Sequence, residues 1–129
     1  MSEIGRERQL NGIAVLIVED DLTVRSELWQ DLEFWGALVI TTTGAGAFGA
    51  PLRSDVIVCG LATAEAAGPT FLESLRRLHD RPGRPVRVIL LVPPGMDAAE
   101  TAVAAGVELC LPTPVDPDRL RAAVGRFGR

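Results

Sequence analysis

The sequence contains no lysine and no tyrosine, and all 13 of its basic residues are arginines. Any chemistry that needs a flexible ammonium group or a phenol at a site is therefore unavailable to it. The 2 cysteines, Cys59 and Cys110, are too few for a disulfide scaffold and fit a reducing compartment, so a cytoplasmic location is expected. Long apolar runs are missing as well. "IAVLIV" and "VILLV" fall far short of the roughly 20 residues that span a bilayer, and no membrane association is expected. The opening "MSEIGRERQLNG" has neither the basic start nor the apolar centre of a signal peptide. A net charge of −4 and a pI near 5.0 leave no basic face, which argues against nucleic acid as a partner.

What is present reads as one domain. A chain of 129 residues, 47% of them hydrophobic, can bury roughly two-thirds of its unfolded surface without metal or disulfide staples. Residues 1–11 read as an N-terminal extension and 12–129 as the domain. Short apolar strands alternate with helical patterns. The expected strands are Ile13 to Val18, Ala37 to Thr42, Asp55 to Cys59, Arg87 to Val92 and Leu109 to Leu111. The first helix is expected from Thr23 to Trp35, ended by Gly36. "TGAGAFGAPLRS" predicts a short or irregular second helix, because its glycines cost about 1 kcal/mol each and Pro51 follows. "LATAEAA" is read as a small-residue loop, and Gly68-Pro69-Thr70 opens a third helix whose apolar face is Phe71, Leu72, Leu75 and Leu78. A small alanine-rich helix follows from Asp97 to Ala105, and Asp116-Pro117 caps the last, which runs through Leu120, Ala123, Val124 and Phe127. Wholly apolar strands joined by helical crossovers predict a parallel sheet covered on both faces.

"VLIVEDDLTVRSEL" and "AAGVELCLPTPVDPDRLRAAV", in that order, resemble the first- and fifth-strand regions of response-regulator receiver domains of bacterial two-component systems. The resemblance runs from about Gly12 to Phe127. It implies a flavodoxin-like, doubly wound α/β fold: three layers around a five-stranded parallel sheet of order 2-1-3-4-5. It also implies an acidic pair at Glu19 and Asp20 and a turn proline, usually cis, at Pro114. Family members accept a phosphoryl group on an aspartate ending the third strand. Mg²⁺ on the acidic pair, a hydroxyl after the fourth strand and a lysine after the fifth assist. Here the acceptor position falls on Gly60, the hydroxyl position on Leu91 or Val92, the lysine position on Thr113 and the aromatic switch position on Cys110.

These replacements remove the chemistry. Phosphoryl transfer needs a carboxylate oxygen to attack phosphorus and cations to neutralise the developing charge. Glycine offers no oxygen, and no shift of alignment supplies a lysine. The nearest acid on the strand, Asp55, lies at its far end, about 16 Å away at roughly 3.3 Å per residue. No catalytic residue and no enzymatic activity are expected. Glu19 and Asp20 have two readings. One is a residual Mg²⁺ site of poor affinity. The other, preferred because the third carboxylate is gone, is a hydrated remnant partly compensated by Arg25, with no cofactor. Asp21 reads as a helix N-terminal acid.

Trp29 lies about 140° from Val24 on a helical wheel and should point outward, as an interaction residue or folded over a neighbouring loop. Glu27 and Asp31 are expected to face Arg119 or Arg121 of the last helix. Arg76, Arg77, His79, Arg81, Arg84 and Arg87 form either an anion-binding edge or, preferably, a solvated one. Cys59 and Cys110 should lie roughly 10 Å apart across the fourth strand, too far for a disulfide, as small core or site-lining residues.

The reading that follows is a degenerate receiver, or pseudo-receiver, that signals through protein contact without phosphorylation. The resemblance implies a histidine kinase, a phosphotransfer protein or another receiver as partner. Docking would use helices one and five, with Trp29, or the face of helix four, strand five and helix five, with Cys110; in the family this second face also forms homodimers. The alternative is a pseudo-receiver that senses a nucleotide or anion. A conventional phospho-accepting receiver ranks last.

Overall fold

Parallel strands built from β-branched and leucine residues form the centre of the molecule. The computed structural model describes residues 9–47 and 54–129. Five strands, β1 (Ala14–Val18), β2 (Leu38–Thr42), β3 (Val56–Gly60), β4 (Arg87–Val92) and β5 (Leu109–Pro112), pair in parallel in the order β2-β1-β3-β4-β5. Among the described residues six helices accompany them: α1 (Leu22–Phe34), α2 (Gly44–Ala47), α3 (Leu61–Ala67), α4 (Pro69–His79), α5 (Ala99–Ala105) and α6 (Pro117–Phe127). The expected α/β architecture and strand order are those observed.

The alternation of side chains along each strand divides the core into two layers. Val15, Ile17, Val56, Val58, Ile89 and Leu91 face α1 and α6, where Leu28, Leu32, Leu120 and Val124 meet them. Leu16, Val18, Ile57, Cys59, Val88 and Leu90 face the other way, against Leu61 and Ala64 of α3, Phe71 and Leu75 of α4 and Ala105 of α5. The first layer reaches back to Leu10, inside the stretch read as an extension: its side chain is 1% exposed and its N–H donates to the Trp35 carbonyl at 2.9 Å. Leu10 thus contributes to the core from ahead of Gly12. Residues 1–8 lie outside the described residues, as do Pro51 and the rest of the expected second helix beyond Ala47.

Helix boundaries follow side-chain chemistry. Asp21 is the N-cap of α1, its Oδ1 accepting from Val24 N at 3.0 Å, and Asp116 caps α6 by accepting from Asp118 N at 2.9 Å. Pro69 and Pro117 each open a helix, where no N–H is needed. Gly106 ends α5 in the left-handed region at φ +66°, and a Cβ there would lie 3.0 Å from the His79 ring, so both backbone and packing require glycine.

Two elements depart from expectation. "LATAEAA" is not a loop but helix α3, directly after β3. Four alanines, a leucine and a glutamate are good helix formers, and burial of Leu61, Thr63 and Ala64 anchors them. Strand β2 is thinly covered. Ile40 pairs with Leu16 and shares its face, yet Leu38 and Ile40 remain exposed, and the described part of α2 offers only Gly-Ala-Gly-Ala.

Candidate functional site at the carboxyl end of the sheet

The carboxyl ends of β1, β3, β4 and β5 bring together the residues singled out from the sequence. Val18 pairs with Cys59 and Gly60 with Leu91, so Glu19, just beyond β1, sits beside Gly60. Pro93 follows β4, and Thr113 follows β5 with a cis bond to Pro114. Thr113 is half-buried, and its N–H donates to the Val92 carbonyl at 3.0 Å. Leu91 is buried and Val92 half-buried.

Glu19 dominates this end. A Cβ built on Gly60 would collide with Glu19 Oε1, so the carboxylate occupies the space that a side chain at position 60 would need. Glu19 Oε2 accepts from the Thr63 hydroxyl at 3.1 Å and from Asp21 N at 3.0 Å. Thr63 Oγ1 in turn accepts from Asp20 N at 3.1 Å, and Asp20 Oδ1 accepts from Gly44 N at 2.8 Å. Arg25 donates to the Glu19 backbone carbonyl at 2.8 Å rather than to its carboxylate. Thr63, 3% exposed, thus ties the Glu19 carboxylate to the Asp20 backbone, while Gly44 N holds the Asp20 carboxylate. Sequence reasoning missed Thr63 because it lies on the helix read as a loop; the helix-forming run between Gly60 and Gly68 was the available signal.

The donor set bears on metal binding. Glu19 and Asp20 are two carboxylates already accepting hydrogen bonds, and Gly60 adds no side-chain oxygen. Mg²⁺ prefers six oxygens in an octahedron, which this set fits poorly. Among the described residues no three His, Cys, Asp or Glu side chains are grouped to hold a metal ion. Beside the acids, Cys59 is fully buried; burial first, then the charges of Glu19 and Asp20, push its thiol up to about 12. It stays protonated at neutral pH and points to the Gly60 carbonyl at 3.5 Å.

A cavity of about 340 Å³ opens here between α1 and the ends of β3, β4 and β5. Its wall is mostly apolar, from Val24, Leu28, Leu61, Leu91, Pro93 and Val115. Glu27 and Asp31 line it too, which corrects their expected pairing with the last helix. Val24, Glu27, Leu28 and Asp31 follow an i, i+3, i+4, i+7 stripe, so two acids sit on the face that meets the cavity. Arg121 is engaged elsewhere, with Asp118 at 2.9 Å and over the Trp35 ring at 4.3 Å.

The other candidates lie apart from this cavity. Trp29 is 39% exposed and points outward, as expected. Cys110 is exposed, not a core residue; it aligns with Leu90, and Leu90 with Cys59, so the cysteines flank β4 unpaired. The arginine run is largely neutralised at the opposite end of the sheet. Arg84 pairs with Asp55, Arg87 with Glu108 at 2.8 Å and Arg76 with Asp80 at 3.0 Å. The His79 ring lies between Asp80 and Glu108, 3.0 and 2.8 Å away.

No protein-family model matches the sequence, and no curated protein does. Solved structures do match. The signal receiver domain of a signal transduction histidine kinase from Syntrophus aciditrophicus superposes with a TM-score of 0.70 at 25% identity, over 90% of this chain and 89% of that one. The chain has the receiver fold. A chemotaxis response regulator of Vibrio cholerae shares that receiver fold at 22% identity and a TM-score of 0.69, over 89% and 98% of the two chains. So does the signal receiver domain of a DNA-binding response regulator from Colwellia psychrerythraea, at 24% identity and a TM-score of 0.68, over 88% and 96%. Within this receiver fold the carboxyl end of β3 carries Cys59 and Gly60, and Glu19 fills the space beside them.

Proposed function

We propose that this chain is a signalling module of a two-component system that works by protein contact without accepting a phosphoryl group. The observation that carries the reading is the Glu19 carboxylate lodged where a side chain at Gly60 would stand, in a chain with no lysine. An acceptor carboxylate, a bridging Mg²⁺ and a cation on the phosphoryl oxygens would all need that space or that missing residue. The module is then not an enzyme and uses no cofactor, and its partners are a histidine kinase, a phosphotransfer protein or another receiver. Two surfaces offer themselves: α1 with its exposed Trp29, and the α5–β5–α6 side, where Val103 is 72% exposed and Cys110 is open to solvent. A nucleotide or anion sensor is less well supported, because the cavity carries three carboxylates and Arg76, Arg84 and Arg87 of the arginine edge are paired with acids.

Incubation with acetyl phosphate and Mg²⁺, followed by intact-mass measurement, tests this. No mass change is expected. A stable adduct of one phosphate would overturn the reading.

A further inference from the structure

The cavity has an unusual charge balance. Glu19, Glu27 and Asp31 line it, and among the described residues no arginine or histidine does, Arg25 being engaged with the Glu19 backbone carbonyl outside the lining. None of these three carboxylates forms an ion pair among the described residues, although Arg76, Arg84, Arg87 and Arg121 all do so elsewhere. Glu19 Oε1, turned toward Gly60, accepts no hydrogen bond from any described residue. Three like charges around one small cavity repel one another and repel any anion, and they attract a cation most strongly where the walls exclude water. The walls themselves are hydrocarbon: Leu28, Leu61, Leu91, Pro93 and Val115 offer nothing to a bare hydrated ion, but they can pack along an aliphatic stem. At about 340 Å³ the space falls at the lower end of the range for small-molecule sites and suits one short chain.

We propose that this cavity binds an organic cation with an aliphatic stem, an alkylguanidinium or alkylammonium, the stem on the apolar wall and the head among Glu19, Glu27 and Asp31. Such a group reaches the cavity either as a free small molecule or as an arginine or lysine side chain projected by a partner protein. The chemistry is the same in both cases, and it stands whether or not the chain ever receives a phosphoryl group.

The test is a titration of ¹⁵N-labelled protein followed at the amides of Gly60, Leu61, Leu91 and Thr113, with butylguanidinium, the neutral butylurea and a capped Ala-Ala-Arg-Ala-Ala peptide as probes. Butylguanidinium should give saturable shifts at these amides and butylurea none. Glu27→Gln combined with Asp31→Asn should weaken the guanidinium roughly fivefold or more. Both residues are exposed, so the variant keeps its fold, which its unchanged melting temperature verifies. Binding of the peptide more tightly than butylguanidinium assigns the site to a partner's side chain; equal or weaker binding assigns it to a free small cation. Absence of saturable shifts with both cationic probes overturns the proposal. So do equal shifts with butylurea, an affinity unchanged by the double neutralisation, or saturable shifts with inorganic phosphate.

Discussion

The two ends of the sheet treat their acids differently. At the amino end Asp55 and Glu108 are held by arginine, Asp55 also accepts from Ala14 N at 2.9 Å, and His79 joins Glu108. At the carboxyl end the carboxylates of Glu19, Asp20, Glu27 and Asp31 meet backbone N–H groups, one threonine hydroxyl or solvent, and among the described residues no guanidinium pairs with them, Arg25 donating to the Glu19 backbone carbonyl instead. The first arrangement closes the bottom of the fold by local neutralisation. The second leaves charge uncompensated beside a cavity, a state that folding alone gives no reason to maintain.

The comparison can be broken from either end. The largest effect is expected at Gly60. Gly60→Ala puts a Cβ on Glu19 Oε1, so the flexible carboxylate must swing aside and give up its bonds to Thr63 and Asp21, which should cost about 2 kcal/mol in denaturant unfolding. Adding Glu19→Ala should return more than half of that loss; a purely additive pair would mean that the carboxylate is not what fills the space. At the other end Asp55→Ala should cost about 1–2 kcal/mol, because it orphans the Ala14 N–H at the start of β1. Arg84→Ala should cost less than about 1 kcal/mol, since the arginine is 78% exposed. Equal losses for the two would show that the ion pair, not the backbone bond, is what matters.

The smallest effect is in pH. Burial pushes the Glu108 carboxyl up, but hydrogen bonds from Arg87 and His79 outweigh it and hold the group below its ordinary value of 4.5. Hydrogen bonds from His79 and Arg76 likewise lower Asp80 from its ordinary 3.8. A group depressed in the folded state stabilises above its unfolded pKa, and the contribution disappears as the pH drops through the folded one. Stability should therefore decline below about pH 4.5, and Glu108→Gln should flatten that acid limb while leaving the slope near neutrality unchanged. An unaltered acid limb would place its origin elsewhere.

Much of this layout was legible from residue patterns. Strand β4 matches its apolar run residue for residue, and Asp116-Pro117 marks the start of α6 because capping chemistry is local. What escaped depended on tertiary context. Helix α3 was hidden in a run of small residues, and Thr63 with it, since seven residues of good helix formers are too short to coil without burial against the sheet. Glu27 and Asp31 were matched to the wrong partners because a long arginine has several acids in reach. Arg121 takes Asp118, one turn away on its own helix, and covers Trp35, so among the described residues Glu27 and Asp31 form no ion pair. Leu10 likewise joins the core through tertiary contacts, its side chain in the first layer and its N–H on the Trp35 carbonyl.

The cysteine row across β3, β4 and β5 has a practical corollary. Cys59 is sealed under α3, its thiol held protonated, whereas Cys110 faces solvent on β5. The native chain thus carries one addressable thiol, and a maleimide dye or spin label placed on it would sit on the α5–β5–α6 side without any cysteine being engineered. Fluorescence anisotropy or distance measurements from that point would show which face a binding partner covers.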